Sequence, residues 1–324
     1  MIYCIKLFFK YFRIPLDFFF FFLILPAALI LLMYRRVGSG RLPITTLALK
    51  RIGVFPIRNH YYEPLFDDRL ISVPLDKDRN LPGIDMNKDG QLALLQRLCF
   101  GDELVALDLS EKGKNTNDFY IDNGSFGSGD AEFLYQFLRH IKPRKVLEIG
   151  SGNSTKIARL ALNKNDIDTL YKCEHICIEP YEQPWLESLV GINVLRNPIE
   201  NCSFDWSSEL QSGDLLFVDS SHIIRPQGDV LKVYLEILPM LPKGVYVHIH
   251  DIFTPKDYLK SWLIDEVKFW NEQYLLEVLL GNTHRYEVIA SLNYLKHKEY
   301  ELLNSVCPYL TKIREPGSFY LRIK

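Results

Sequence analysis

The chain has almost no charge bias: 38 Lys and Arg stand against 40 Asp and Glu, for a net charge of −2. A balanced surface gives no electrostatic reason to expect nucleic acid as a partner. A cysteine framework is missing too. The six cysteines (Cys4, Cys99, Cys173, Cys177, Cys202 and Cys307) are scattered, and only Cys173 and Cys177 lie close together. With His175 between them a zinc site can be imagined, but the further ligands are not apparent. Reduced thiols in a reducing compartment are the plainer reading. Asp85-Met-Asn-Lys-Asp-Gly90 imitates the start of a calcium loop, yet its twelfth position is Gln96 in place of a bidentate glutamate. A turn capping a helix over Gln91 to Leu98 accounts for it better. At 324 residues the chain can hold one large domain with an appendage, or two small domains.

Charge is absent altogether from Phe18 to Tyr34. As a helix this run spans about 25 Å, somewhat short of the ~30 Å hydrocarbon core of a bilayer. Pro26 sits at its centre, and basic residues flank it: Lys6, Lys10 and Arg13 before, Arg35, Arg36, Arg41, Lys50 and Arg51 after. A cleaved signal peptide would need a shorter apolar core and a small-residue cleavage site. A single-pass anchor fits the hydrophobicity, and the heavier positive charge after the run keeps the rest of the chain cytoplasmic. A re-entrant hairpin bent at Pro26 also fits the short run and the basic charge on both sides. Residues 1–40 are therefore expected to form a membrane anchor, single-pass or re-entrant, with the catalytic domain facing the cytoplasm. Residues 41–122 are expected to form a membrane-proximal linker and cap. Their short apolar pieces between prolines and basic residues suit a membrane surface.

From residue 123 the pattern changes. Asn123-Gly-Ser-Phe-Gly-Ser-Gly-Asp130 predicts a flexible run, followed by a helix over Ala131 to Ile141. The stretch Lys145-Val-Leu-Glu-Ile-Gly-Ser-Gly-Asn-Ser-Thr-Lys156 then reads as a buried strand, a glycine turn and the start of a helix. Glycines there let the backbone bend and approach a ligand, while the helix's first free N–H groups face an anion. Further strands are expected at Ile176–Glu179, Ile192–Leu195, Asp214–Asp219 and Val245–Asp251. Helices are expected over Val230–Leu241 and over a long Leu259–Leu280, before two last strands at 286–291 and 318–323. This alternation predicts an α/β fold with a parallel sheet covered on both faces. Gly150, Glu179, Asp219 and Asp251 would gather at the carboxyl ends of its strands, where ligands bind in such sheets. His248 alternates with Ile249 on strand five and reads as a satisfied core histidine.

A dinucleotide fingerprint, G-x-G-x-x-G, is incomplete here, because Thr155 stands at the third glycine. The segment resembles instead motif I of class I S-adenosylmethionine-dependent methyltransferases, in which an acid (here Glu148) precedes the first glycine by two residues. The resemblance runs from about residue 123 to the C-terminus and includes Glu179-Pro-Tyr and Asp219-Ser-Ser-His222. It implies a Rossmann-like, doubly wound seven-stranded sheet with an antiparallel C-terminal edge. It also implies a cofactor site of Glu148, Gly150, Ser151, Gly152, Ser154 and Glu179, with Glu179 accepting both ribose hydroxyls of S-adenosylmethionine. The pair Asp219-x-x-His222 and His250-Asp251 is similar to metal-dependent sugar O-methyltransferases. By that likeness Asp219, Asp251 and His250 are candidate ligands for Mg²⁺ or another divalent metal, and His222 is the candidate general base. Because imidazole suits magnesium poorly, either His250 is no ligand or a softer metal is used. The expected acceptor is a small molecule or a lipid-linked glycan bearing a hydroxyl. An NAD-dependent oxidoreductase and an inactive membrane-anchored interaction module are the alternatives.

Overall fold

The computed structural model describes residues 2–324 apart from Lys114, with side chains from Phe12 onward. Cys4, Lys6 and Lys10 thus lie outside the residues whose side chains are described. The chain divides into two compact units, Met1–Ser72 and Val73–Lys324.

The first unit is built on one helix, α1 (Ile2–Val37), with Pro15 and Pro26 inside it. The helix runs on through Pro26 without a break. One proline removes a single helix hydrogen bond, and the leucines and alanines around it are strong helix formers. Its section Phe12–Val37 is long and apolar enough to cross a membrane, and its most apolar stretch, with a mean hydropathy of 2.6, has no buried residue. At 1.5 Å per residue it spans about 39 Å. A short helix, α2 (Pro43–Ile52), follows and ends at Gly53 in the left-handed conformation. Tyr34 and Thr46 share a 2.5 Å hydrogen bond that ties the two helices together.

The second unit begins with helices α3 (Lys88–Leu95) and α4 (Gly101–Ala106), which belong to the expected linker and cap. The calcium-like sequence is a turn: Asp85 accepts the backbone N–H of Asn87 at 2.8 Å, and the Asn87 amide donates to Val288. After α5 (Asp130–Ile141) come strand β1 (Lys145–Ile149), helix α6 (Asn153–Asp168), and strands β2 (Glu174–Ile178), β3 (Asn193–Leu195) and β4 (Leu215–Val218). Strand β5 (Tyr246–Ile249) follows, and β6 (Tyr286–Ser291) and β7 (Phe319–Ile323) close the sheet. The seven strands run in the order β3-β2-β1-β4-β5-β7-β6. Strands β1 to β5 are parallel, and β7 lies antiparallel between β5 and β6. This is the expected sheet with its antiparallel edge. Each face carries its own apolar layer, one around Phe133, Phe137 and Leu138 of α5, the other around Val233, Ile237 and Leu276. Each fully buried side chain of this size contributes about 1.5–3 kcal/mol.

The helix expected over Val230–Leu241 is present with a π-helical turn inside it, whereas the one over Leu259–Leu280 fails. Residues 229–240 form α7 (Asp229–Lys232), a π-helical turn over Val233–Ile237 and a last turn α8 (Leu238–Met240), with Pro239 in that last turn. The long helix expected over Leu259–Leu280 is a π-helical turn at Ser261–Asp265, an irregular stretch, and then α9 (Glu272–Asn282). Its apolar residues serve two places: Leu263 packs with Phe253 and Tyr258, whereas Leu276 and Leu280 pack on the sheet. Helices α10 (Leu292–Lys298) and α11 (Tyr300–Val306) bridge β6 to β7.

Candidate active site

The donor turn is held by its backbone and by buried acids. Gly150 has a φ of +78°, and a Cβ built there would lie 1.8 Å from the Asp219 carbonyl oxygen. Only glycine fits that approach. The Gly150 N–H donates to Ile178 and the Gly152 N–H to Thr155 Oγ1, at 2.9 and 3.0 Å. Glu148 does not face the cavity. Its two carboxylate oxygens accept Ser154 Oγ at 2.6 Å and Thr155 Oγ1 at 2.7 Å, with His175 Nε2 at 3.3 Å. It braces the turn from beneath, through Ser154 and Thr155. Thr155, the residue that breaks the dinucleotide fingerprint, is the other half of that brace. Cys177 approaches the same carboxylate, and burial pushes its thiol well up. Cys173 is not part of this group, so the imagined zinc set is not brought together.

Glu179, one residue past β2, does face the cavity. Its Oε1 accepts the N–H groups of Tyr181 and Glu182 at 3.0 and 2.9 Å, and Oε2 accepts the Ser151 N–H at 3.3 Å. Oε1 thus has both lone pairs occupied, and Oε2 keeps one for a hydroxyl donor. The cavity measures about 450 Å³ and is lined by Gly150, Ser151, Gly152, Ser154, Glu179 and Asp219, among others. Ser125 and Phe126 also line it. The run 123–130 is therefore not loose: Asn123 accepts the Ser125 and Phe126 N–H groups, and Phe126 is buried 4.9 Å from the His250 ring.

A second constellation sits past the ends of β4 and β5. His222 Nε2 lies 3.2 Å from Asp219 Oδ1 and 3.4 Å from Asp251 Oδ2. Its Nδ1 is 2.8 Å from Glu272 Oε2, and Glu272 is fully buried at the start of α9. His250 Nδ1 lies 3.6 Å from Asp219 and 3.4 Å from Asp251, with Asp130 3.7 Å from its other nitrogen. His222 and Asp251 both have positive φ, at 60° and 59°. Such backbone strain on non-glycine residues collects at functional sites. The chain is turned back here by the N–H groups of Asn271 and Glu272, both bonded to the His222 carbonyl.

The charges in this cluster support one another. Burial opposes ionisation of Asp219, but the imidazoles of His250 and His222 hold its carboxyl far below the usual range. Burial would likewise lower His222, yet its hydrogen bonds to Asp219 and Glu272 raise it to about 10. His250 is raised well above the ordinary value by Asp251 and Asp219 against its burial. Asp251 is pushed up by burial, more strongly than the two imidazoles pull it down. His248 behaves differently. It stacks on Tyr320 at 4.2 Å with neither ring nitrogen hydrogen-bonded, and burial drives it neutral. It is a core histidine, held by ring packing and not by the hydrogen bonds expected of it.

Asp219, His222 and Asp251 place ligand atoms within 4.8 Å of one another, the spacing a metal ion needs. His222, the candidate base, stands in that group, and His250 lies beside it, 3.6 and 3.4 Å from the same two carboxylates. Glu272 and Asp130 escaped the sequence reading, since nothing in their spacing ties them to the strand ends. The acid opening α9 was hidden inside what read as a longer helix.

Residues 147–252 match the family described as a methyltransferase domain. The matched segment runs from β1 to just past β5 and holds the Gly150 turn, Glu179, Asp219, His222 and His250. The oxidoreductase alternative gains nothing from the match. An uncharacterized protein of Archaeoglobus fulgidus is 32% identical over 152 residues, 44% of this chain and 65% of its own length. The match therefore spans less than two thirds of that relative's length. Among solved structures, a Klebsiella pneumoniae protein is 12% identical over 71% of this chain and 99% of its own, with a TM-score of 0.40. An O-methyltransferase from Bacillus cereus, in complex with S-adenosylhomocysteine, is 12% identical over 72% of this chain and 91% of its own, with a TM-score of 0.36. The Streptomyces achromogenes O-methyltransferase TomG, in complex with S-adenosylmethionine, is 13% identical over 76% of this chain and 92% of its own, with a TM-score of 0.37. At these scores the structural likeness decides nothing by itself.

Proposed function

We propose that the chain is a membrane-attached methyltransferase that transfers methyl groups to a hydroxyl oxygen of a sugar or lipid-linked glycan. The observation that carries this reading is the position of Asp219. It lines the cofactor cavity and belongs equally to the acid–histidine cluster. Methyl donor and acceptor activation would therefore meet at one carboxylate.

The cavity fits S-adenosylmethionine because the Gly150 turn leaves room for close backbone approach and Glu179 offers an acceptor oxygen to a ribose. The cofactor supplies a methyl group on a sulfonium, open to in-line attack. Gly150, Ser151 and Gly152 would hold its methionine end over Asp219, and Glu148 keeps their turn rigid. His222 Nε2, once it has lost the proton that Asp219 and Glu272 hold on the ring, takes the acceptor's hydroxyl proton as the oxygen–carbon bond forms and the sulfur–carbon bond breaks. Glu272 fixes the ring by engaging Nδ1, so that Nε2 is the nitrogen facing the reaction. Two carboxylates also fit a divalent cation, which would supply the charge that eases hydroxyl ionisation. Asp219 and Asp251 would hold it, which leaves His222 Nε2 to the acceptor's proton.

Residues 1–40 would anchor the chain, and Arg35, Arg36, Arg41, Lys50 and Arg51 would keep the domain cytoplasmic. Helix α2 fits this placement, since Ile44 and Ile52 are 85% and 74% exposed beside those basic residues. A tether helps most when the acceptor is in the same membrane. Calorimetry with S-adenosylmethionine and with NAD, on the wild type and Glu179→Ala, tests the donor assignment. Only the first cofactor should bind, and Glu179→Ala should weaken it about ten- to a hundredfold, the worth of one hydrogen bond to a charged group. Unchanged affinity in the variant would sink the assignment. Mass spectrometry of membrane glycans with and without the gene, read for the increment of one methylene, identifies the acceptor.

A further inference from the structure

A second cavity, of about 500 Å³, is lined by His250 and Asp251 and shares Ser125 with the cofactor cavity. Neither the Gly150 turn nor Glu179 lines it, so it has no part in holding the donor. Its size falls within the range of small-molecule sites. The segment after β5 and the segment before β7 form its wall, and they bring Lys260 and Arg314 to it.

The acids of this wall are already engaged. Asp130 accepts the N–H groups of Gly317 and Ser318 at 3.0 and 2.8 Å. Glu315 is held by Asn293, Lys296 and His297 at 2.8, 2.6 and 2.8 Å. Asp251 belongs to the two imidazoles. The cations are not so committed. Lys260 makes no ion pair among the described residues, and Arg314 pairs only with Asp122, whose side chain is 76% exposed. A surface pair of that kind is exchanged at little cost, and guanidinium and ammonium groups together suit a carboxylate or phosphate.

We infer that this cavity receives the acceptor, and that the acceptor carries an anion, carboxylate or phosphate, held by Lys260 and Arg314 while its reacting hydroxyl lies at Asp251. The inference rests on the methyltransferase reading and deepens it. It narrows the acceptor from any hydroxyl compound to an acidic one, such as a uronic acid or a phosphorylated sugar.

The test uses the full chain in detergent micelles, saturated with S-adenosylhomocysteine and titrated at low salt with glucose, glucuronate and glucose 6-phosphate. At least one anionic sugar should bind about tenfold more tightly than glucose, and which one does so separates carboxylate from phosphate. The double variant Lys260→Ala/Arg314→Ala should erase that preference, and Lys260→Glu alone should weaken it, with S-adenosylhomocysteine binding unchanged in both. The inference is overturned if neither anionic sugar binds better than glucose, or if the preference survives the double substitution. Failure of S-adenosylhomocysteine itself to bind the wild type is a different outcome and strikes the donor site instead.

Discussion

The donor turn and the acid–histidine cluster lie at the carboxyl ends of neighbouring strands, yet they are held by opposite means. The turn is made by eight consecutive positions, 148 to 155, and its shape comes from backbone: a left-handed Gly150 pressed against a carbonyl, and N–H groups tied to adjacent strands. The cluster draws Asp130, Asp219, His222, His250, Asp251 and Glu272 from four separate segments, and its shape comes from side-chain charge. A backbone-held site should tolerate changes of charge but not of volume. A charge-held site should do the reverse.

Gly150→Ala is the sharpest way to break the comparison. A methyl at 1.8 Å from the Asp219 carbonyl cannot be absorbed by a side-chain rotation, so the turn must move. We expect loss of measurable cofactor binding and about 2–3 kcal/mol of stability, read by calorimetry and thermal unfolding. Near-wild-type binding would show that the turn is not the donor site. Asp251→Asn is the matching test of the cluster: nearly the same volume, one charge removed. Turnover should fall by two to three orders of magnitude, about the loss seen when a charge-stabilising group is removed. Affinity for S-adenosylhomocysteine should hardly change. Chelation should suppress wild-type turnover and added divalent metal restore it. Activity untouched by a chelator would leave His222 to act without a metal.

The same contrast explains what could be read in advance. The five parallel strands, their acid-ended tips and the glycine turn were legible, because a buried parallel strand is a short apolar run and a tight turn needs glycine. The role of Glu148 was not, since pattern places a carboxylate near the turn without saying which side of the strand receives it. His222 and His250 were picked out as a pair, but their division between base and ligand depends on Glu272, fifty residues away and inside a misread helix. Apolar residues at 259–280 have helical spacing, yet they pack into two different layers, and only the fold separates them. The cavity wall with Lys260 and Arg314 joins segments that no local pattern connects.

Glu272→Gln sharpens the comparison with the smallest effect, because it keeps the hydrogen bond to His222 Nδ1 and removes only the charge. His222 is raised in the folded protein from 6.5 to about 10 against its burial, with Asp219 and Glu272 as the main causes. A folded value above the unfolded one means that the protonated ring stabilises the native state. That contribution is complete below pH 6.5 and is lost as pH rises through about 10. Without the Glu272 charge the folded value falls, so the alkaline loss of stability should begin at lower pH, while stability below pH 6.5 drops only modestly. Thermal unfolding from pH 6 to 10.5, wild type against variant, reads this directly, and His222→Gln should flatten the difference between them. A divalent cation held by Asp219 and Asp251 would displace the same proton, so saturating metal should also bring the two curves together. Curves that stay parallel across the whole range would mean that Glu272 packs the helix start and has no hold on the imidazole.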